Sequence, residues 1–474
     1  MNHTDEIFDV AIIGAGVVGC AIARELARYD LRCVLIEASD DVGAGTSKAN
    51  TAILHTGFDA KSGTLEASLV RRGYELMREC ADELGMAVEP VGALLVAWTP
   101  EQADAFGGIA DNARRNGYTA ARRVPFAELY AREPQLGEGA LAALEIPGES
   151  IICPFTPPLA FATQALINGV QLYLGSPLLS VNPGGDHHLL KSSSRQLSAH
   201  YVVNAAGLQS DRIDRLFGHE RFTVKPRRGE LIVFDKLARP LINHILLPVP
   251  TRTTKGVLVA PTVFGNVLLG PTADDIDDKT ATGSTADGLS RLRDHGRRIV
   301  PPLLDEEVTA VYVGLRAATE HADYQIHFDA AQRYVCVGGI RSTGLSASPA
   351  IAEYVVAGLA DAGLPLRRRD EFKSVHLPDL GESSCRPYQQ DSRIVANPDY
   401  GRIVCHCERV SRGEILDALQ APIPARSLDG LRRRTRAMLG RCQGFYCMAS
   451  IVQLLHECGG RSMSDILRIQ DSAQ

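Results

Sequence analysis

Four cysteines late in the chain have the type and spacing for metal chemistry: Cys405-His-Cys407, then Cys442-Gln-Gly-Phe-Tyr-Cys447. Thiolates bind structural zinc and [2Fe–2S] clusters alike. Zinc ribbons favour paired C-x2-C knuckles, which a C-x-C followed by a C-x4-C matches poorly, but on residue types alone both metals stay open. Near the start, Gly14-Ala-Gly16-Val-Val-Gly19 has the spacing that cradles a pyrophosphate. Gly14 permits the tight turn, Gly16 lets phosphates approach the backbone, and Gly19 lets a helix pack closely on its strand. Glu37 follows about twenty residues on, where a carboxylate takes a ribose hydroxyl.

These groups need elements to hold them. An apolar run from Val10 to Ile13 predicts a strand, a helix should run from the glycines to about Tyr29, and a second apolar run, Cys33 to Ile36, stops at Glu37. The glycines thus sit between strand and helix, where unpaired N–H groups and the helix dipole favour phosphate. Tyr201-Val-Val-Asn-Ala-Ala-Gly207 reads as a buried strand entering a turn whose small residues, Ala206 and Gly207, suit a second backbone approach to the dinucleotide. Period-two alternation between Lys225 and Gly270 predicts an antiparallel sheet. Helices are expected over Thr64–Cys80, Glu101–Asn116, Asp287–Val300 and Leu345–Ala362. Ser411-Arg-Gly-Glu414 is a capping box opening a helix between the cysteine pairs.

A length of 474 residues implies two or three domains. The net charge of −6 gives no electrostatic case for nucleic acid, and the basic run Arg432, Arg433, Arg434, Arg436, Arg441 has no aromatic platform beside it. Residues 1–5 are polar and no stretch approaches the roughly 18 apolar residues of a membrane span, so a cytoplasmic protein is expected. Of eleven cysteines, seven are scattered singly and read as small buried hydrophobes. The acids of Gly270–Asp278 lack the calcium-loop pattern and read as a solvated loop.

Gly45-Thr-Ser-Lys-Ala-Asn50 with Leu54-His-Thr-Gly57 resembles the D-amino-acid-oxidase-like superfamily of flavoproteins, and within it the glycerol-3-phosphate dehydrogenase and 2-hydroxyglutarate oxidase branch. The resemblance implies FAD, with Thr46, Ser47 and Asn50 as cofactor contacts, Val181 at the adenine, and Gly339 and Gly344 beside the flavin. The helix opening at Gly344 would face the flavin pyrimidine edge, where its dipole stabilises negative charge. His55 would lie at the redox centre as a candidate base, with His321 a weaker one. Arg316 and Arg341 would grip a small anionic substrate, although either could be a structural ion pair. The segments VCHCERVSRGEI and SLDGLRRRTRAMLGRCQGFYC resemble the bacterioferritin-associated ferredoxin-like domain, which implies a [2Fe–2S] cluster on Cys405, Cys407, Cys442 and Cys447. The arginines there would tune the cluster's potential, or form a solvated or partner-docking face.

The fold class expected is α/β: a Rossmann-like FAD-binding domain (1–85, 150–220, 305–365) with an interleaved antiparallel-sheet substrate domain (86–149, 221–304), then a linker or wrapping arm (366–400) and a small, mainly helical iron–sulfur domain (401–474). The motif order resembles large subunits of anaerobic-type glycerol-3-phosphate dehydrogenases. That implies oxidation of glycerol 3-phosphate, with electrons leaving through the cluster to a second flavoprotein, a membrane-anchoring subunit or quinone at the inner face of the membrane. A 2-hydroxy-acid or amino-acid dehydrogenase fits almost as well, and a non-catalytic electron-transfer subunit is the alternative of another class.

Overall fold

The computed structural model describes residues 7–184, 186–250 and 256–467; the polar residues 1–5 lie outside that range. The glycine motif joins strand β1 (Ile7–Ile13) to helix α1 (Val17–Leu26), which leads to strand β2 (Cys33–Ile36). Both strands are parallel, and they are flanked by Gln196–Asn204 and by Gln171–Tyr173. Tyr334–Gly338 joins parallel to the second half of Gln196–Asn204, so three distant stretches of sequence complete one eight-stranded sheet. Helix α1 packs between Thr156–Ile167 and Gly344–Asp361, burying Ile22 and Leu26 completely. Burial of that completeness stabilises by about 1.5–3 kcal/mol per side chain.

A second, nine-stranded sheet holds Lys225–Phe234, Val308–Ala318, Ala93–Ala97 and Ala142–Ile146 among its members. All its pairings are antiparallel except that of Ile245–Pro248 with Ala93–Ala97. The period of two sends Leu94 and Leu95 into different cores on opposite faces. Val308–Ala318 pairs along its length with Lys225–Phe234, so the return to the cofactor domain falls after Ala318 and not at 305 as the sequence suggested.

Other expectations shift less. The helix expected over 101–116 is two, Pro100–Asp104 and Phe106–Arg115. The amphipathic helix over 64–80 runs from Leu65 to Leu84, capped by the Thr64 hydroxyl and closed by left-handed Gly85. Cys385 and Cys458 are exposed, unlike the five buried single cysteines. The acidic stretch is largely exposed loop, as expected, except that Asp274–Asp275 forms a short edge strand beside Arg227 and Arg228, with Asp275 paired to Arg227. The segment over 366–400 lies against both sheet-bearing units. Its backbone N–H groups donate to Arg28, Leu84 and Val263 in turn, crossing both larger domains. It leads into a small domain with its own core of Ile415, Leu431, Ile451 and Leu455, built on the helices Arg412–Gln420, Leu428–Thr435 and Met448–Glu457.

Candidate active site and redox module

The glycine motif is shaped by contact as well as by turn. Gly14 has φ +99°, and a Cβ there would meet the Ala205 carbonyl at 2.6 Å. A Cβ on Gly19 would sit 1.8 Å from the Gly14 carbonyl, so strand and helix close up only with glycine at both. Gly16 caps α1, and the Ser47 hydroxyl accepts from the Val17 N–H at the helix start. Glu37 ends β2, its carboxylate held by the N–H groups of Ala15 and Ser39 at 2.6 and 2.8 Å; burial nevertheless raises its pKa. A cleft of about 530 Å³ opens in front of this unit, within the range of cofactor sites.

Gly16, Thr46, Ser47, Asn50, Gly207, Gly339 and Gly344 line that cleft, as do His55, Arg316 and Arg341. Gly14, Gly19, Glu37 and Ala206 stand behind them and fix the backbone; Ala206, for instance, donates to the Asn204 side chain. Val181 lies elsewhere. It faces Leu190 in the outermost strand pair, and the chain comes nearest to Glu37 a few residues earlier, where the Ser176 N–H donates to the Glu37 carbonyl. His321 is half exposed beside Glu320 and does not line the cleft.

The loop carrying Thr46 and Asn50 is tied to the strand carrying Arg316. The Thr46 hydroxyl donates to the Leu315 carbonyl, the Tyr312 hydroxyl donates to the Asn50 carbonyl, and Gly314 lies so close to Ala49 that a Cβ would meet its carbonyl at 2.0 Å. Arg316 therefore stands at the cleft wall beside the cofactor loop. Among the described residues no carboxylate pairs with it; its guanidinium lies 3.4 Å from the Thr272 carbonyl. Burial, with Arg227 adding to it, lowers its pKa to about 10, which leaves it charged at neutral pH. Arg341 differs: it is paired with Glu66, whose other oxygen accepts from Thr343 at 2.8 Å. His55 is held from both sides, its N–H donating to Ser346 Oγ and its ring Nδ1 lying 2.9 Å from Glu149 Oε2. Glu149 and Glu66 carry no motif signal, and both emerge only with the tertiary structure.

The four late cysteines draw together in the small domain. Cys405 lies beside Cys447, and Cys407 beside Cys442, each within reach of the other's thiol. The two pairs are themselves neighbours, Cys405 acting electrostatically on Cys407 and Cys442 on Cys447. A unit with two irons asks for two ligands on each.

The arginines beside them are not a solvated face. Arg434 grips Asp41 through two nitrogens at 2.6 and 2.7 Å, and Arg433 adds a third contact at 2.5 Å, with all three side chains buried. Burial works against the Asp41 carboxylate, but the two guanidinium groups win and hold its pKa below the ordinary value. Lys48, next to Ser47, pairs with Asp429 at 2.8 Å. Arg436 stacks 3.9 Å over Phe264 and bonds Glu408. The small domain thus docks on the stretch 39–50, of which Thr46, Ser47, Ala49 and Asn50 line the cleft.

A cleft fronted by a βαβ glycine turn and walled by a guanidinium that no carboxylate pairs among the described residues, with a thiol module docked beside it, is the layout of a flavin-dependent oxidoreductase. The chain belongs to the FAD dependent oxidoreductase family, which residues 9–357 match, and residues 403–457 match the BFD-like [2Fe-2S] binding domain. It uses FAD and a [2Fe–2S] cluster. It is 34% identical to a glycerol 3-phosphate dehydrogenase of Caloramator mitchellensis across 97% of this chain and 96% of that one. One subunit of the anaerobic glycerol-3-phosphate dehydrogenase of Escherichia coli strain K12 is 26% identical over 94% of this chain and 88% of its own. Among solved structures, the dithionite-reduced L-alpha-glycerophosphate oxidase of Mycoplasma pneumoniae with FAD bound superposes with a TM-score of 0.74 at 27% identity, covering 79% of this chain and 99% of that one.

Proposed function

We propose that the chain is a glycerol-3-phosphate dehydrogenase whose electrons leave through its C-terminal cluster. The observation that carries the substrate assignment is Arg316, a charged side chain in the cleft wall that no carboxylate neutralises among the described residues. A phosphate matches its planar fork bidentately. Gly14, Gly16, Gly19, Glu37, Thr46, Ser47, Asn50, Ala206, Gly207, Gly339 and Gly344 would hold the FAD, and Cys405, Cys407, Cys442 and Cys447 the cluster. FAD supplies a two-electron acceptor for the hydride of the substrate's C–H, and a [2Fe–2S] cluster carries electrons singly onward. His55 takes the hydroxyl proton. Its Nδ1 is engaged by Glu149, so the base is Nε2. Arg341, already paired with Glu66, serves mainly to fix the turn before the helix that opens at Gly344.

The relatives' names support the substrate, and a fused one-electron module supports an acceptor other than oxygen. That acceptor is a partner protein, met by two aromatic side chains on the loop between Cys442 and Cys447: Phe445 and Tyr446 are 82% and 77% exposed. Among the described residues no helix is long and apolar enough to cross a membrane. The test is anaerobic bleaching of the flavin with glycerol 3-phosphate, L-2-hydroxyglutarate, lactate, proline and hydroxyproline. Glycerol 3-phosphate should bleach it within the mixing time at millimolar concentration. Bleaching by a carboxylate substrate alone would replace the assignment.

A further inference from the structure

The pairing of strands Ile53–Leu54 and Ser150–Ile152 has a consequence for His55. Their antiparallel register sets Ile53 opposite Ile151 and Leu54 opposite Ser150, so the next pair out is His55 and Glu149. Glu149 is fully buried, and both of its oxygens are committed. Oε1 accepts from the Thr56 N–H at 2.7 Å and from the Thr56 hydroxyl at 2.9 Å; Oε2 lies 2.9 Å from His55 Nδ1. A carboxylate only accepts, so it obliges Nδ1 to carry the proton and leaves the lone pair on Nε2.

We propose that Glu149 is the positioning residue of the reaction: it locks the tautomer of His55 that can take a proton and steadies the ring once it is charged. This rests on His55 being the base. The Thr56 N–H gives the proposal its sharp form, because that donor cannot reverse. In Glu149→Gln the amide oxygen must face Thr56, and the amide NH2 must then face His55 Nδ1. The ring answers by moving its proton to Nε2, where it blocks the base. Isosteric replacement should therefore invert the tautomer with little change in shape.

Two readouts test this on the FAD-loaded full chain. Long-range 15N–1H spectra of histidine-labelled protein, taken where the ring is neutral and with His55 assigned by its loss in His55→Asn, should show Nδ1–H in the wild type and Nε2–H in Glu149→Gln. Stopped-flow flavin reduction by glycerol 3-phosphate should fall about 100-fold or more in Glu149→Gln, the scale of a lost general base, with half-saturating substrate changed less than about threefold. Glu149→Gln added to His55→Asn should cost nothing further. A wild-type ring protonated on Nε2 overturns the proposal without any variant, as does a Glu149→Gln loss that multiplies with that of His55→Asn. If His55→Asn reduces flavin at the wild-type rate, it is the assignment of His55 as base that fails, and the spectra still decide what Glu149 does.

Discussion

An arginine on a cleft wall is an anion site only if nothing on the protein already neutralises it, and by that measure Arg316 and Arg341 part company. Arg316→Ala should lose charge-assisted hydrogen bonds worth about 1.5–3 kcal/mol, raising KM for glycerol 3-phosphate tenfold or more while FAD stays bound. Its pKa of about 10 also sets a direction: kcat/KM should fall as pH rises through that value, and the alkaline limb should vanish in Arg316→Ala. Arg341→Ala should instead cost about 1–3 kcal/mol of stability, because Glu66 loses its cation, and should change KM less. A thermal melt beside a Michaelis curve separates the two variants. The sequence placed both arginines near the chemistry only through its resemblance to a flavoprotein family. It was silent on Glu66, which lies in an ordinary amphipathic helix and meets Arg341 only through the fold, and on Glu149, whose partner is fixed by register between short strands remote in sequence.

At the scale of elements, the helix Leu428–Thr435 is what joins the two redox modules. Its arginines were legible as a basic run, but a run of charge does not say what faces it, and Asp41 lies almost the whole chain away. Removing one partner of a buried ion pair costs about 3–5 kcal/mol, so Asp41→Asn should loosen the docked domain by about that much. Limited proteolysis should then release a C-terminal fragment, while flavin reduction by substrate keeps its rate and cluster reduction slows. The pH dependence has a definite sign. Asp41's carboxyl is depressed below 3.8, so its contribution is complete above that value and is lost only as pH falls through the lower, docked one. Docking should survive mild acid and fail well below pH about 4. The strand–turn–helix–strand order around the glycines, by contrast, was legible because it is local to one βαβ unit, whereas the contact of Gly14 with Ala205 comes from a distant strand. The second sheet was readable as antiparallel but not as closed by Val308–Ala318, because alternation predicts a strand and not its neighbour.

Across the whole molecule, the segment over 366–400 bonds both larger units and, through Arg386 and Glu414, the small domain that carries the cysteines. Phe445→Ala with Tyr446→Ala should leave substrate-driven reduction of flavin and cluster unchanged and lower turnover only with a protein acceptor, not with a small dye. The central claim is that electrons taken from the substrate reach the C-terminal thiols. Anaerobic stopped-flow mixing with glycerol 3-phosphate, followed at the flavin and cluster absorption bands and by electron paramagnetic resonance of the frozen product, tests it most directly. The flavin band should bleach first, the cluster bands should follow, and the paramagnetic signal of a reduced [2Fe–2S] unit should appear in wild type and be absent in Cys405→Ser. A flavin that bleaches fully while the cluster stays oxidised over many turnovers would contradict the account.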